Sequence, residues 1–239
     1  MARLWQVDVT RGIAVALMIV YHFLFDLDFL DLARFDFSSG PLLLFQRLIA
    51  FLFLSLVGVS LVLARLRGVT LVQHLRRVAA LAGIALLITA ATFVYPGPQN
   101  GMIVFGIIHF IAVAVLLGWF FTRLPSWLNL AVGVGVLAAG FYLSTLSPAP
   151  HPWLLWFGLP PAGFFTLDYY PLIPWFGVVL VGIFTGQAMD PFRRAFSDRK
   201  MPHMLHSLNV LGKNALAVYL VHQPLLFGLL LGAKILLGF

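Results

Sequence analysis

The chain has 239 residues, of which 62% are hydrophobic and only 10% charged. One soluble core cannot hide that much apolar surface, so the composition excludes a soluble globular enzyme and points to an integral membrane protein. The formal charge of +7 does not imply nucleic acid, because the basic residues lie at the links between apolar runs, and the absence of cysteine excludes a disulfide framework, a thiolate metal site and a cysteine nucleophile.

Windows of about 20 apolar residues, the length that crosses a bilayer as a helix, predict seven spans. They fall at residues 11–32, 42–64, 78–95, 102–121, 127–145, 172–189 and 210–237. The expected fold is therefore an all-α, polytopic transmembrane helix bundle forming one domain over residues 1–239. No cleavable signal peptide is expected, and the first apolar run reads as a true span. The long link "SPAPHPWLLWFGLPPAGFFTLDYYP" is rich in proline and aromatics and reads as an interfacial or re-entrant segment. Trp153, Trp156, Tyr169, Tyr170 and Trp175 would form an aromatic belt there.

Orientation follows from Lys and Arg. With a cytoplasmic N-terminus, 12 of the 15 basic residues face the cytoplasm: Arg3, Arg11, Arg65, Arg67, Arg76, Arg77, Arg123, Arg193, Arg194, Arg199, Lys200 and Lys213. Arg34, Arg47 and Lys234 face outwards. The positive-inside rule then predicts N-in and, with seven spans, C-out. A bacterial inner membrane is the default expectation and an organelle membrane of similar topology the alternative.

The first span carries residues that hydrocarbon does not tolerate. Arg11 and His22 are 11 positions apart, which leaves about 20° between them on a helical wheel. His22 and Asp26 form an i,i+4 pair, so one narrow stripe carries all three and must face protein. His22 lies about 17 Å of helix rise beyond Arg11. His109, in "FGIIHFIAVA", is expected roughly 10 Å inside the outer end of the fourth span, and His222 about 18 Å along the last span from Asn209. Three histidines and a carboxylate are thus expected at one depth, and intramembrane ionisable groups mark a site by default. Hydrogen-bonded packing is the bland reading for each histidine alone. Metal binding by the imidazoles is the lesser alternative, since the spacing carries no ligand motif.

Other candidates divide between structure and function. Arg11 either anchors its helix at the interface or joins an anion site. Arg65, Arg67, Arg76 and Arg77 are either plain positive-inside charges or a phosphate-binding cluster at a helix start. Arg47 either snorkels outwards or contacts an acceptor. His74, His151, His203 and His206 read as solvated surface.

Five stretches taken in order resemble a known family. "DVTRGIAVALMIVYHF" is similar to the opening of the integral-membrane acyltransferases, D-x-x-R-G-x-A followed by an apolar run to a histidine. With "HLRRVAAL", "FGIIHFIAV", "DYYPLIPWFGVVLVG" and "LGKNALAVYLVHQPLL", the chain resembles the heparan-alpha-glucosaminide N-acetyltransferase catalytic family, in particular its short bacterial members, from Asp8 to about Leu226. That resemblance implies transfer of an acyl group, usually acetyl, from cytoplasmic acyl-CoA to an acceptor on the far side. In the lysosomal member the acceptor is a terminal glucosamine amine. That member's outer-side histidine has no counterpart in "DLARFDFSSGPLLLF"; His22 instead occupies the position that is histidine in the wider type-3 acyltransferase families.

The resulting expectation is an enzyme with acetyl-CoA as co-substrate and no metal. Its catalytic candidates are His22, His109, His222 and Asp26. Arg11, Arg65, Arg67, Arg76 and Arg77 would hold CoA, and Arg47, Asn214, Tyr219 and Gln223 would face a sugar or glycan acceptor or polarise the thioester. Asp26 would orient His22 or hold the acceptor. The partners expected are the bilayer, acyl-CoA, the acceptor and, at family level, a second copy in a homodimer. The alternative is a small proton-coupled transporter or lipid-transfer protein using the same His/Asp cluster as a relay.

Overall fold

The computed structural model describes residues 4–146, 151–192, 195–196 and 198–238. These residues are all-α: α1 (Trp5–Phe29), α2 (Gly40–Leu66), α3 (Leu71–Val94), α4 (Ile107–Phe121), α5 (Ser126–Leu143), α6 (Leu172–Met189), α7 (His206–Lys213) and α8 (Ala215–Leu237). Six helices are long and apolar enough to cross a membrane, and α4 is a shorter apolar helix. The architecture is that of a polytopic integral membrane protein of about seven spans. Of the basic residues assigned to the cytoplasmic side, Arg3, Arg193 and Arg194 lie outside the described residues.

The chain forms two compact units, Met1–Phe53 with Phe192–Phe239, and Leu54–Pro191. In the first, α1 packs against α7 and α8. Val15, Met18, Tyr21 and Ile49 form its core, with Phe45, Leu211, Val218 and Tyr219 packed around them. Helices α1 and α7 meet backbone to backbone, because a Cβ on Gly12 would overlap the Leu208 carbonyl and one on Gly212 would overlap that of Asp8. Small residues permit this approach, which lipid alone would not drive. The chain before α7 is tied back to α1: Trp5 Nε1 donates to the Arg199 carbonyl and Gln6 Nε2 to that of Phe196, each at 2.8 Å.

In the second unit α3 packs on α4, and α4 and α5 pack on α6. Gly58 and Gly182 let α2 touch α6, with backbone carbonyls of Val179 and Ser55 in the space a Cβ would need. Phe110, Val115, Val179, Leu180 and Ile183 are wholly buried there.

Several expected boundaries move: α1 runs Trp5–Phe29 and not 11–32, and three further shifts have a physical reason. Helix α3 begins at Leu71, not residue 78, because Thr70 and Gln73 form a capping box. Helix α4 begins at Ile107, not residue 102, because residues 102–106 are non-helical, with a bend at Val104. They are held by Leu167 N–H to the Gly101 carbonyl (2.9 Å), Tyr170 N–H to that of Phe105 (3.1 Å) and Thr166 Oγ1 to that of Met102 (2.9 Å). The last apolar run is interrupted at Asn214 (φ −104°, ψ 17°), which separates α7 from α8. In the long link, residues Pro152–Phe157 form a 3-10 turn onto which Tyr169 donates, its hydroxyl 2.6 Å from the Leu155 carbonyl. Trp153 and Trp156 are exposed as a belt requires, whereas Tyr170 is buried.

Candidate active site

The stripe on α1 faces α8. His22 Nδ1 and His222 Nε2 are 3.0 Å apart, joining residues 200 positions distant. One turn further along α1, Gln223 Nε2 donates to Asp26 Oδ1 at 2.7 Å. At the end of α1, Lys234 Nζ donates to the Leu30 carbonyl at 2.6 Å and so caps that helix. Asp26 and His222 are buried and His22 partly so.

Hydrogen-bond chemistry fixes where the protons sit in the neutral His22–His222 pair. His222 Nδ1 lies 2.7 Å from the Tyr219 carbonyl and 3.2 Å from that of Val218, and carbonyl oxygens only accept. His222 therefore carries its proton on Nδ1 and offers a lone pair at Nε2. The facing His22 Nδ1 must then donate, which leaves His22 Nε2 as the unprotonated nitrogen. The pair has a direction, from a backbone anchor on α8 to a lone pair on His22 Nε2 on α1.

The hydrogen-bond partner of Asp26 is Gln223 and not His22, whose partner is His222. Asp26 Oδ2 and Gln223 Oε1 are both buried without a hydrogen-bond partner among the described residues. Arg11 is paired with the buried Asp8 at 2.9 Å, an i,i+3 ion pair that the sequence stripe did not include. Tyr219 contributes its carbonyl to His222 and its ring at 5.7 Å. Asn214 donates to the Val210 carbonyl at the α7–α8 break, and Arg47 is exposed on α2.

The remaining candidates lie in the second unit. His109 stands in the first turn of α4, since that helix starts five residues later than expected. Its Nε2 is 2.9 Å from Thr89 Oγ1, and its Nδ1 is buried with no partner among the described residues. Asp168 caps the same helix by accepting the Ile107 N–H at 2.8 Å. Burial pushes the Asp168 carboxyl up to about 6, against the pull of that N–H. Neither Thr89 nor Asp168 was singled out in the sequence, because each acts on a segment distant along the chain.

Two members of the arginine cluster hold backbone carbonyls, and Arg67 Nε donates to that of Leu63 at 3.1 Å. The Arg65 guanidinium donates to the Thr122 carbonyl. There it shares the capping of the C-terminus of α4 with Gln187, which donates to Thr122 and Leu124, and Asn129, which donates to Phe121. Arg67, Arg76 and Arg77 are exposed around the start of α3. His74 is not solvated surface. It is 3% exposed and stacks on Trp119 with centroids 4.3 Å apart, because the early start of α3 turns it towards α4. Arg123 covers the same indole at 4.7 Å. His151, His203 and His206 are exposed, as expected.

No curated protein and no solved structure matches the chain. The model of the family described as heparan-alpha-glucosaminide N-acetyltransferase, catalytic, matches residues 3–224, a range that includes the α1 stripe, the arginine cluster, α4 and the His222–Gln223 pair. The chain therefore belongs to this family of membrane acetyltransferases.

Proposed function

We propose that this protein takes an acyl group, acetyl in the first instance, from acyl-CoA at the cytoplasmic face and transfers it to an amine or hydroxyl of a sugar or glycan at the outer face of a bacterial inner membrane. The observation that carries the reading is the directed His22–His222 hydrogen bond, which leaves His22 Nε2 unprotonated on a helix whose other residues are mostly apolar.

In this mechanism His22 Nε2 removes the proton from the acceptor nitrogen or oxygen as that atom attacks the thioester carbonyl. The resulting imidazolium is stabilised through His222, whose Nδ1–H is already held by the Tyr219 and Val218 carbonyls. This places His222 in the orienting role that a buried carboxylate plays in hydrolytic triads. The tetrahedral intermediate collapses with loss of the C–S bond, and the CoA thiolate takes the proton back from His22. Asp26, held by Gln223, offers its second oxygen to the acceptor. Arg67, Arg76 and Arg77 bind the CoA phosphates, with Arg65 adding positive potential while it donates to the Thr122 carbonyl. Asn214, at the cytoplasmic start of α8, and Tyr219 polarise the thioester carbonyl, and Arg47 contacts the acceptor at the outer rim.

The test is incubation of the purified protein in lipid nanodiscs with radiolabelled acetyl-CoA and a panel of amino sugars and neutral sugars. Labelled product from wild type is expected. His22→Ala should lose transfer by about 100-fold or more, the scale of general base catalysis, while still binding CoA. Bound acetyl-CoA whose thioester survives every acceptor would overturn the reading and favour proton-coupled transport, for which the same histidine pair is a ready relay.

A further inference from the structure

Helix α4 begins against a polar lattice built from three segments. Thr89 Oγ1 on α3 is 2.8 Å from the Ile103 carbonyl and 2.9 Å from His109 Nε2. Three residues along α3, Thr92 Oγ1 accepts the Ile103 N–H at 3.0 Å. Both backbone groups of Ile103 are thus held by neighbouring threonines of one helix face, which fixes the non-helical run leading into α4. On its other side this run is fixed by the hydrogen bonds from Thr166, Leu167 and Tyr170. Gly106 leaves room for Asp168 Oδ2 where a Cβ would stand, and that oxygen caps the Ile107 N–H.

A threonine hydroxyl has one proton. The Ile103 carbonyl can only accept, so the Thr89 proton goes there, and Thr89 Oγ1 can meet His109 Nε2 only as an acceptor. In the neutral ring, His109 therefore carries its proton on Nε2 and has a lone pair on Nδ1. That nitrogen is buried and has no hydrogen-bond partner among the described residues. Buried acceptors are almost always satisfied, so one left open on a ring whose other nitrogen is tightly specified points to a ligand.

We propose that Thr89 is a positioning residue that fixes the His109 proton on Nε2, so that His109 Nδ1 accepts a hydrogen bond from an N–H or O–H group of a reactant. The reactant half of this inference rests on the acyl-transfer reading; the proton assignment does not. Two groups supply such donors in that chemistry: the acceptor amine or hydroxyl, and the amide N–H groups of the pantetheine arm. Either is held without a change in covalent bonding at His109.

The test uses the full chain in nanodiscs with ring-15N-labelled histidine, at mildly alkaline pH. Two-bond 15N–1H correlations separate the two neutral tautomers, and loss of one signal in His109→Gln assigns the residue. Wild type and Thr89→Ser should show the Nε2–H pattern. Thr89→Val, which keeps the shape and removes the hydroxyl, should shift the His109 signal while the other histidines stay unmoved, so a general loss of fold is visible at once. A wild-type His109 in the Nδ1–H form, or a Thr89→Val signal identical to wild type, overturns the assignment. In the transfer assay Thr89→Val should fall about tenfold or more in turnover, equivalent to about 1.4 kcal/mol at the barrier, and Thr89→Ser should recover it. Wild-type turnover by Thr89→Val with a shifted tautomer overturns the reactant contact. A wild type with the Nε2–H signature that transfers no acyl group refutes the acyl-transfer reading, and the reactant contact with it, and leaves the proton assignment standing.

Discussion

Asp26 is 1% exposed, and the Gln223 amide is the hydrogen-bond donor seen on it. Replacing Gln223 by Leu removes that donor and leaves a buried carboxyl unsatisfied, a loss of about 1–3 kcal/mol. The double variant Gln223→Leu with Asp26→Leu removes both partners and should regain part of the loss. Unfolding followed by tryptophan fluorescence in detergent reads both; a Gln223→Leu midpoint equal to wild type would show that the pair contributes nothing. Asp168 gives a pH test of opposite character to the exposed Asp36. The Asp168 carboxyl is raised by burial from 3.8 to about 6, so between those values the folded chain holds a proton that the unfolded chain has lost. Stability from this group is therefore greatest at low pH and declines as pH rises towards 6. Asp168→Asn should remove that slope, and parallel wild-type and variant curves over this window would refute it. The Ser38 and Ser39 side chains hold Asp36 down, at about 2, so its contribution is lost only as pH falls from 3.8 towards 2.

At the level of elements, the crossing of α1 and α7 depends on two glycines. Gly12→Ala or Gly212→Ala puts a methyl group onto an opposing carbonyl, and the helices must separate or twist. Overpacking of this kind costs about 1–3 kcal/mol or more. Gly228 and Gly232 on α8 have open space, so alanine there should stabilise that helix by about 0.5–1 kcal/mol. Thermal midpoints of the four variants should fall into those two groups, and equal effects would refute the packing. These contacts show why the sequence was legible only in part. Apolar windows locate every long helix, since bilayer thickness sets a length that residues alone can meet. The start of α3 is set by a local capping box, Thr70 with Gln73, that apolar windows do not register, whereas the start of α4 was lost because residues 166–170, distant along the chain, hold residues 102–106 out of the helix. The same division holds at the site. The stripe of Arg11, His22 and Asp26 on one face is readable by counting along one helix, and it correctly implied a protein neighbour. Asp8, three residues before Arg11 on the same helix, was readable in the same way. That His222 and Gln223 meet His22 and Asp26, or that Thr89 and Asp168 serve His109 and its helix, depends on chain segments that no periodicity connects.

On the scale of the whole molecule, the direction of α8 constrains how many times the chain crosses the bilayer. Contacts between α1 and α8 advance together, from His22 with His222 to Leu30 with Lys234, so the two helices run parallel. First and last spans run parallel only when the number of crossings is odd. Six long helices alone would make them antiparallel, so the 15-residue α4 must also cross. At 1.5 Å per residue it covers about 22 Å of a core about 30 Å thick. With seven crossings and 12 of the 15 basic residues on one side, the N-terminus is expected in the cytoplasm and the C-terminus outside. The cysteine-free chain allows a direct test by single substitution. Ser39→Cys and Trp153→Cys should react with a membrane-impermeant maleimide on intact cells. Lys200→Cys should react only in inverted vesicles. All three positions are exposed. Labelling of Ser39→Cys and Trp153→Cys on opposite sides would remove α4 as a span, because the number of crossings between them would no longer be four.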